Sequence, residues 1–168
     1  MLIAGSAMLA GTMAPQAAAD PNIDPYIDAI APNTTADVID PGSALGAPDG
    51  RYATVSGRGW VSNRALVLDF GAGEEGVGDI DVYYHGLTLS QHTDIQFLNS
   101  NGTTVASTTL TMIGFGDHVV TVDNTSTKSY RYLRIHTTVS EHFGLDAIKT
   151  AAVAAQSRSP GGSAPRRP

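Results

Sequence analysis

The apolar residues of this chain recur at every second position in short runs, and this alternation constrains the fold more than any other feature of the sequence. Successive side chains of a β-strand point to opposite faces, so a strand with one buried face shows a period of two. No window shows a sustained helical period, and we therefore predict an all-β domain. The predicted inward positions are Leu66, Leu68, Phe70, Ile80, Val82, Tyr84, Ile95, Phe97, Val105, Val120, Val122, Leu133 and Ile135.

Residues that favour turns separate these runs at the spacing of roughly 8–12 residues that is typical of a sandwich. They lie at 71–73, 99–102, 114–116 and 123–125. Asn101-Gly102 is the strongest of these signals, because both residue types tolerate the positive φ of a tight hairpin turn. We predict that each of the four segments separates two strands.

The two ends of the chain differ in composition from its middle. Residues 1–19 are apolar and end in Ala-x-Ala, which is typical of a secretory signal peptide cleaved after Ala19. No basic residue precedes Arg51, so a retained apolar arm is the alternative. Residues 151–168 form a low-complexity tail with little to bury. We predict one β-domain over residues 20–150, in a protein that is secreted and acts outside the cell or at its surface.

The charge of the chain restricts its partners. Its formal net charge is −6, from 16 acidic and 10 basic residues, and an acidic domain repels phosphate backbones, which argues against nucleic acid. Residues 1–19 are too short and too rich in glycine for a convincing membrane span. The histidines lack metal-site spacing and no Gly-x-Ser-x-Gly motif occurs, so we predict that the protein is not an enzyme.

A Pro48-Asp49-Gly50 turn near the start of the domain is the sharpest local motif. Proline, aspartate and glycine each favour a tight turn, so Asp49 is expected on a rigid loop. Such a loop offers one carboxylate and several free carbonyls, which are the oxygen ligands that calcium prefers. The chain has no cysteine, and calcium would stabilise an exported domain in place of disulfides.

The runs ALGAPDGRYATV, RALVLDFG, YRYLRIHT and GLDAIKT resemble the galactose-binding-like β-sandwich superfamily, which includes discoidin domains and many bacterial carbohydrate-binding modules. The resemblance covers roughly residues 26–150. It implies a jelly-roll β-sandwich of about eight to nine antiparallel strands, in which the last strand returns beside the first. It also implies a structural Ca2+ ion, for which the candidate ligands are Asp49, Arg51, Thr54 and Asp146. The alternative is that Asp49 only forms an Asx-turn and Asp146 only caps a strand end.

The resemblance further implies a glycan or a cell-surface polysaccharide as the partner. Trp60 is the single tryptophan and lies in a glycine-flanked stretch with Arg58, Asn63 and Arg64. An apolar face beside a few polar groups is how sugar sites are usually built, so we predict that these four residues bind the ligand. The alternative is that Trp60 covers the edge of the sandwich. A second, weaker aromatic group is Tyr83, Tyr84 and His85.

Three Asn-x-Ser/Thr sequons, at Asn33, Asn101 and Asn124, lie in predicted turns and are candidate glycosylation sites.

An alternative to glycan binding is a structural role. In that case the protein would be a subunit of an extracellular filament or surface layer that assembles through its N-terminal segment. Exposed contiguous apolar surface drives association, so we predict self-assembly only if residues 1–19 are retained.

Overall fold

The computed structural model describes residues 23–56, 64–137 and 142–154. These residues contain eight β-strands and one short 3-10 helix, and none of their helices is long and apolar enough to cross a membrane. The strands are β1 Ala29–Ile30, β2 Asp37–Ile39, β3 Ala53–Ser56, β4 Arg64–Asp69, β5 Gly76–Leu98, β6 Thr104–Val122, β7 Tyr132–Thr137 and β8 His142–Val153, and the helix is Pro41–Ala44.

The strands form one antiparallel sheet that curls over itself. Its order is β1-β4-β7-β5-β8-β3-β2, and β6 pairs with β5 outside this path. The first part of β5 pairs with β8 and its last part pairs with β7, while β6 follows β5 along both parts. Each half of the sandwich therefore contains a segment of β5 and of β6. The predicted all-β sandwich is confirmed, with eight strands in the described residues.

The predicted turn at 114–116 is wrong, because these residues lie inside the continuous strand β6. Gly114 and Gly116 have φ angles of 78° and 93°, which bend the strand without ending it. On the facing strand the register shifts between Leu87 and Ser90, and Gly86 lies so close to the Gly114 carbonyl that a Cβ would not fit. The other three predicted turns do connect strands.

The two halves enclose one core with Tyr130 near its middle. The Tyr130 ring is fully buried and packs edge-on against Phe70 and Phe97, with centroid distances of 5.7 and 4.8 Å. Its hydroxyl shares a 2.8 Å hydrogen bond with Oγ1 of buried Thr150. The predicted inward positions are confirmed: Val105 and Val120 are partly buried against the core, and the other eleven are buried.

Candidate functional site

Three side chains from separate segments meet on the outer face of the sheet half formed by β3, β8, β5 and β6. Tyr52 directly precedes β3, His85 lies on β5, and Asp117 lies opposite His85 on β6. The Tyr52 hydroxyl donates a 2.7 Å hydrogen bond to Oδ1 of Asp117, and His85 Nδ1 lies 2.6 Å from the same oxygen. The Tyr52 and His85 rings are 5.0 Å apart, centroid to centroid. We call these three residues the Tyr52–His85–Asp117 group.

A glycine on β8 makes this contact possible. Gly144 pairs with Thr54 on one side and with His85 on the other, so it lies between the backbones that carry the two rings. A Cβ at position 144 would lie 2.9 Å from the Cβ of Tyr52 and 3.2 Å from the Cβ of His85. Because glycine has no Cβ, the two rings meet above it.

Ionisation fixes the donors and acceptors of the group. Hydrogen bonds from His85 and Tyr52 lower the pKa of Asp117, so this exposed carboxylate is ionised at neutral pH. The hydrogen bond to Asp117 raises the pKa of Tyr52 to about 12, and the hydroxyl keeps its proton. Since an ionised carboxylate only accepts, the hydrogen between His85 and Asp117 belongs to Nδ1. Asp117 Oδ2 and His85 Nε2 have no hydrogen-bond partner among the described residues.

Two members of the group, Tyr52 and Asp117, line a shallow hollow of about 200 Å³. Aromatic, apolar and acidic side chains line it together, since Tyr83 and Val119 come from the paired strands β5 and β6 and Asp146 comes from β8. Its lining also includes Gly50 of the Pro48-Asp49-Gly50 turn. The hollow therefore extends from Tyr52 and Asp117 to the turn that the sequence singled out.

The turn and Asp146 do lie together, at the point where the first and last parts of the domain meet. The carboxylate of Asp146, which is 8% exposed, accepts hydrogen bonds from the backbone N–H groups of Asp49 (3.1 Å) and Gly50 (3.3 Å). Asp49 accepts the N–H of Arg51 at 2.9 Å, which is an Asx-turn. The Arg51 guanidinium lies 3.9 Å from the Asp49 carboxylate, and Thr54 lies farther along, on β3.

The predicted ligand-binding residues are placed only in part. Trp60, Arg58 and Asn63 lie outside the described residues. Arg64 begins β4, and its guanidinium donates to the Asp37 carboxylate at 3.0 Å and to the carbonyl of Thr35. Arg64 therefore ties β4 to the segment around β2.

The weaker aromatic group of Tyr83, Tyr84 and His85 divides between the two faces of β5. Tyr83 and His85 lie on the outer face of β5. Tyr83 lines the hollow, and His85 belongs to the Tyr52–His85–Asp117 group. Tyr84 is buried, and its hydroxyl donates to the Ile113 carbonyl and accepts the Ile113 N–H, although Tyr84 also contributes to the lining of the hollow. The sequence thus pointed to His85 but missed Tyr52 and Asp117. The sequence did contain one signal for Asp117. Among the 19 residues of β6 it is the single residue of the types Asp, Glu, Lys and Arg.

The three sequons differ in access. Asn33 and Asn101 are exposed. Nδ2 of Asn124, the atom to which a glycan is attached, is buried without a hydrogen-bond partner in the described residues. Oδ1 of Asn124 accepts the N–H of Ser126. A glycan at Asn124 would require this turn to open, whereas Asn33 and Asn101 stay predicted glycosylation sites.

A separate acidic group lies before β1 and before β5. Carboxylate oxygens of Asp24, Asp28 and Glu74 lie within 4.8 Å of one another. Desolvation and the neighbouring carboxylates raise the pKa of both Asp28 and Glu74. A raised pKa means that the folded state holds these protons more tightly than the unfolded chain does. The contribution of both groups to the free energy of unfolding is therefore lost as the pH rises through these pKa values.

Comparison with known structures supports the β-sandwich fold. No protein-family model matches the chain, and no curated protein matches it in sequence. A fucose binding module of Streptococcus pneumoniae superposes with a TM-score of 0.55 at 17% identity, over 78% of this chain and 96% of that one. Two further structures superpose less well. A second fucose binding module of that species gives a TM-score of 0.49 (14% identity, 73% and 96% covered). The lectin binding domain of Lectinolysin gives 0.46 (18% identity, 71% and 94% covered).

Proposed function

We propose that this protein is a non-catalytic glycan-binding module that acts outside the cell, and that the Tyr52–His85–Asp117 group is its binding surface. The observation that carries the proposal is the two hydrogen bonds that hold one oxygen of Asp117 while Oδ2 stays available. The fold is shared with a module whose described ligand is fucose, which supports a sugar as the ligand. Export through residues 1–19 belongs to the same proposal.

The geometry suits a sugar ring that carries neighbouring hydroxyl groups. Asp117 Oδ2 would accept one ligand hydroxyl in a charge-assisted hydrogen bond, which is stronger than a neutral one. His85 Nε2, which has no partner among the described residues, would form a hydrogen bond with another hydroxyl. The apolar faces of Tyr52 and Tyr83 beside them would pack against the C–H groups of the ring. The polar atoms are fixed before the ligand arrives, so little ordering free energy is lost on binding.

A panel of immobilised glycans, with fucosylated and unfucosylated members, tests the proposal with one substitution and its control. We expect Asp117→Asn to weaken binding by roughly tenfold or more, because it removes the charge from the central acceptor. Asp94→Asn is the matched control, since Asp94 also accepts a hydroxyl from a facing strand, that of Thr109, but lies outside the hollow. Equal binding by both variants, or no binding by the unmodified protein, would contradict the proposal.

Calcium at the Pro48-Asp49-Gly50 turn also belongs to the proposal. Asp49 is exposed, and each oxygen of Asp146 accepts a single N–H, so both carboxylates keep lone pairs for a cation. Arg51 would contribute its carbonyl alone, because its guanidinium is cationic. A bound calcium ion would fix the turn beside Tyr52 and would neutralise the two carboxylates.

We expect calcium to raise the thermal midpoint relative to EDTA, since a ligand at 100 times its Kd adds about 2.7 kcal/mol to the stability. The increase should be lost in Asp49→Asn and kept in Glu74→Gln, which neutralises the separate acidic group instead. An equal midpoint with calcium and with EDTA would rule calcium out. An increase that only Glu74→Gln removes would move the ion to Asp24, Asp28 and Glu74.

The open edge of β6 supports a second candidate function, self-assembly. Among the described strands β6 pairs only with β5, and its 19 residues include no lysine, arginine or proline to protect the edge. At the bend, Leu89, Ile113 and Phe115 are 78%, 58% and 65% exposed. Exposed apolar residues beside an unpaired edge favour association with a second sheet.

Sedimentation velocity separates this route from assembly through the N-terminal segment. If the β6 edge mediates assembly, a chain that begins at Asp20 should still associate, and Phe115→Lys should make it monomeric. If residues 1–19 mediate assembly, only the full chain should associate and Phe115→Lys should have no effect. A monomeric full chain would contradict self-assembly by either route.

A further inference from the structure

A second hollow lies on the other half of the sandwich, away from the Tyr52–His85–Asp117 group. It has a volume of about 380 Å³, which falls within the range of small-ligand sites. Its apolar lining includes Val67 of β4 and Leu98 of β5, both buried. Tyr132 and Arg134 of β7 add an aromatic ring and a cation. Asn33 and Asn101, from two different loops, add amide groups.

Arg134 differs from the other described arginines in its partners. The guanidinium groups of Arg51, Arg64 and Arg131 each lie within ion-pair distance of an aspartate. Among the described residues, Arg134 has no such carboxylate, and its one hydrogen bond runs from Nη1 to Oε1 of Gln96 at 3.4 Å. Its other guanidinium N–H groups are therefore free of the protein's own acceptors in the described part of the chain.

Among the described residues that line this hollow there is one carboxylate, and it is already compensated. Asp69 accepts two hydrogen bonds from Arg131, at 2.8 and 3.0 Å, and one from the N–H of Gly71. Burial alone would raise the pKa of Asp69, but these bonds outweigh it and lower the pKa. The pair of Asp69 and Arg131 is close to neutral as a unit, so Arg134 determines the sign of charge that the hollow presents. This positive site belongs to a protein of net charge −6.

We propose that this second hollow binds an acidic sugar residue, with its carboxylate or sulfate group on Arg134. A planar guanidinium binds such oxyanions through two parallel hydrogen bonds, which also fix the orientation of the ligand. The amides of Asn33 and Asn101 would bond ring hydroxyls, and Tyr132 would contact the ring. The inference rests on the proposed function only in taking a sugar as the ligand, because it uses none of the residues of the first surface.

The experiment is isothermal titration calorimetry with three probes: a galacturonic acid trisaccharide, a sulfated galactose trisaccharide and a neutral galactose trisaccharide. Mass spectrometry must first show that the protein carries no glycan, because a glycan attached to Asn33 or Asn101 would fill the same hollow. We expect at least one anionic probe to bind, more weakly as salt is added, and the neutral probe to bind at least about tenfold more weakly. The anionic probe that binds identifies carboxylate or sulfate as the recognised group.

Arg134→Gln should weaken binding of the anionic probe by about tenfold or more, since it keeps a polar side chain and removes the charge. Lys128→Gln is the control, because it makes the same change in net charge at an exposed residue that does not line the hollow. Asp117→Asn should leave this binding unchanged, which separates the second hollow from the proposed glycan surface. Equal binding by Arg134→Gln and Lys128→Gln, with unchanged thermal midpoints, would overturn the proposal. So would the failure of both anionic probes to bind.

Discussion

Replacing Tyr130 with alanine is expected to lower the free energy of unfolding by about 3–5 kcal/mol, the usual cost of removing a large aromatic side chain from a core. Tyr130 is fully buried and packs against two further aromatic rings, those of Phe70 and Phe97. The ring lies between segments of both halves of the sandwich, so the cavity left by alanine would weaken the contact between them. Denaturation with urea, followed by far-ultraviolet circular dichroism, measures this loss.

Tyr130→Phe is the matched control, because it keeps the ring and removes only the hydroxyl. Its expected cost is about 0.5–1.5 kcal/mol, the net value of one hydrogen bond. The cost stays small because Oγ1 of Thr150 also donates to the carbonyl of Ala152 at 2.9 Å. If Tyr130→Phe were as destabilising as Tyr130→Ala, the hydroxyl and not the ring packing would dominate, contrary to this account.

The same substitution has a consequence at alkaline pH. Burial raises the pKa of Tyr130 from 10.0 to about 12, so the folded state holds this proton more tightly than the unfolded chain does. Its contribution is complete below pH 10 and is lost as the pH rises towards 12. Tyr130→Phe should therefore reduce the alkaline loss of stability without abolishing it, because Tyr52 titrates in the same range.

Replacing Tyr52 with alanine is expected to weaken glycan binding on the order of 10–100-fold, a loss typical of a central aromatic residue in an interface. Two contributions disappear together: the apolar face of the ring, and the hydroxyl that holds Asp117 in place. Tyr52 is only partly buried, so the unfolding midpoint should change little. Affinity is measured by titration calorimetry with the glycan that binds most tightly on the panel.

Tyr52→Phe separates the two contributions of this residue. It keeps the ring above Gly144 and removes the hydrogen bond to Asp117, so we expect an affinity between those of the unmodified protein and Tyr52→Ala. If Tyr52→Ala lost affinity only in proportion to a fall in its melting temperature, Tyr52 would have a structural role and not a binding role.

The sequence predicted the inward faces of the strands well. The period-two pattern of Leu66, Leu68 and Phe70 arises directly from burial of one sheet face, so it can be read without knowing the partner strands. The full length of the long strands was harder to predict from sequence, because a glycine with positive φ occurs both in turns and in bulges. Gly114 and Gly116 therefore predict a turn from sequence, whereas backbone pairing with β5 continues past them.

The candidate site was predictable only where local chemistry marked it. The Pro48-Asp49-Gly50 turn could be found because its conformation is encoded in three adjacent residues. The Tyr52–His85–Asp117 group could not, because Asp117 lies 65 residues beyond Tyr52 in sequence and meets it only through the register of the intervening strands. The pairing of β5 with β6 also shifts register twice, between Leu87 and Ser90 and between Phe97 and Leu98, and the alternating sequence pattern does not predict these shifts.

Chemical-shift mapping by NMR shows whether glycans bind at the Tyr52–His85–Asp117 group, because it reports where a glycan binds and not only whether it binds. The 15N-labelled protein would be titrated with the glycan that binds most tightly on the panel. We expect the largest shift changes on the amides of Tyr52, His85, Asp117 and Gly144, and in Tyr52→Ala we expect the changes at His85, Asp117 and Gly144 to need on the order of 10–100 times more glycan. Large changes confined to other residues, with these four unmoved, would contradict this binding surface.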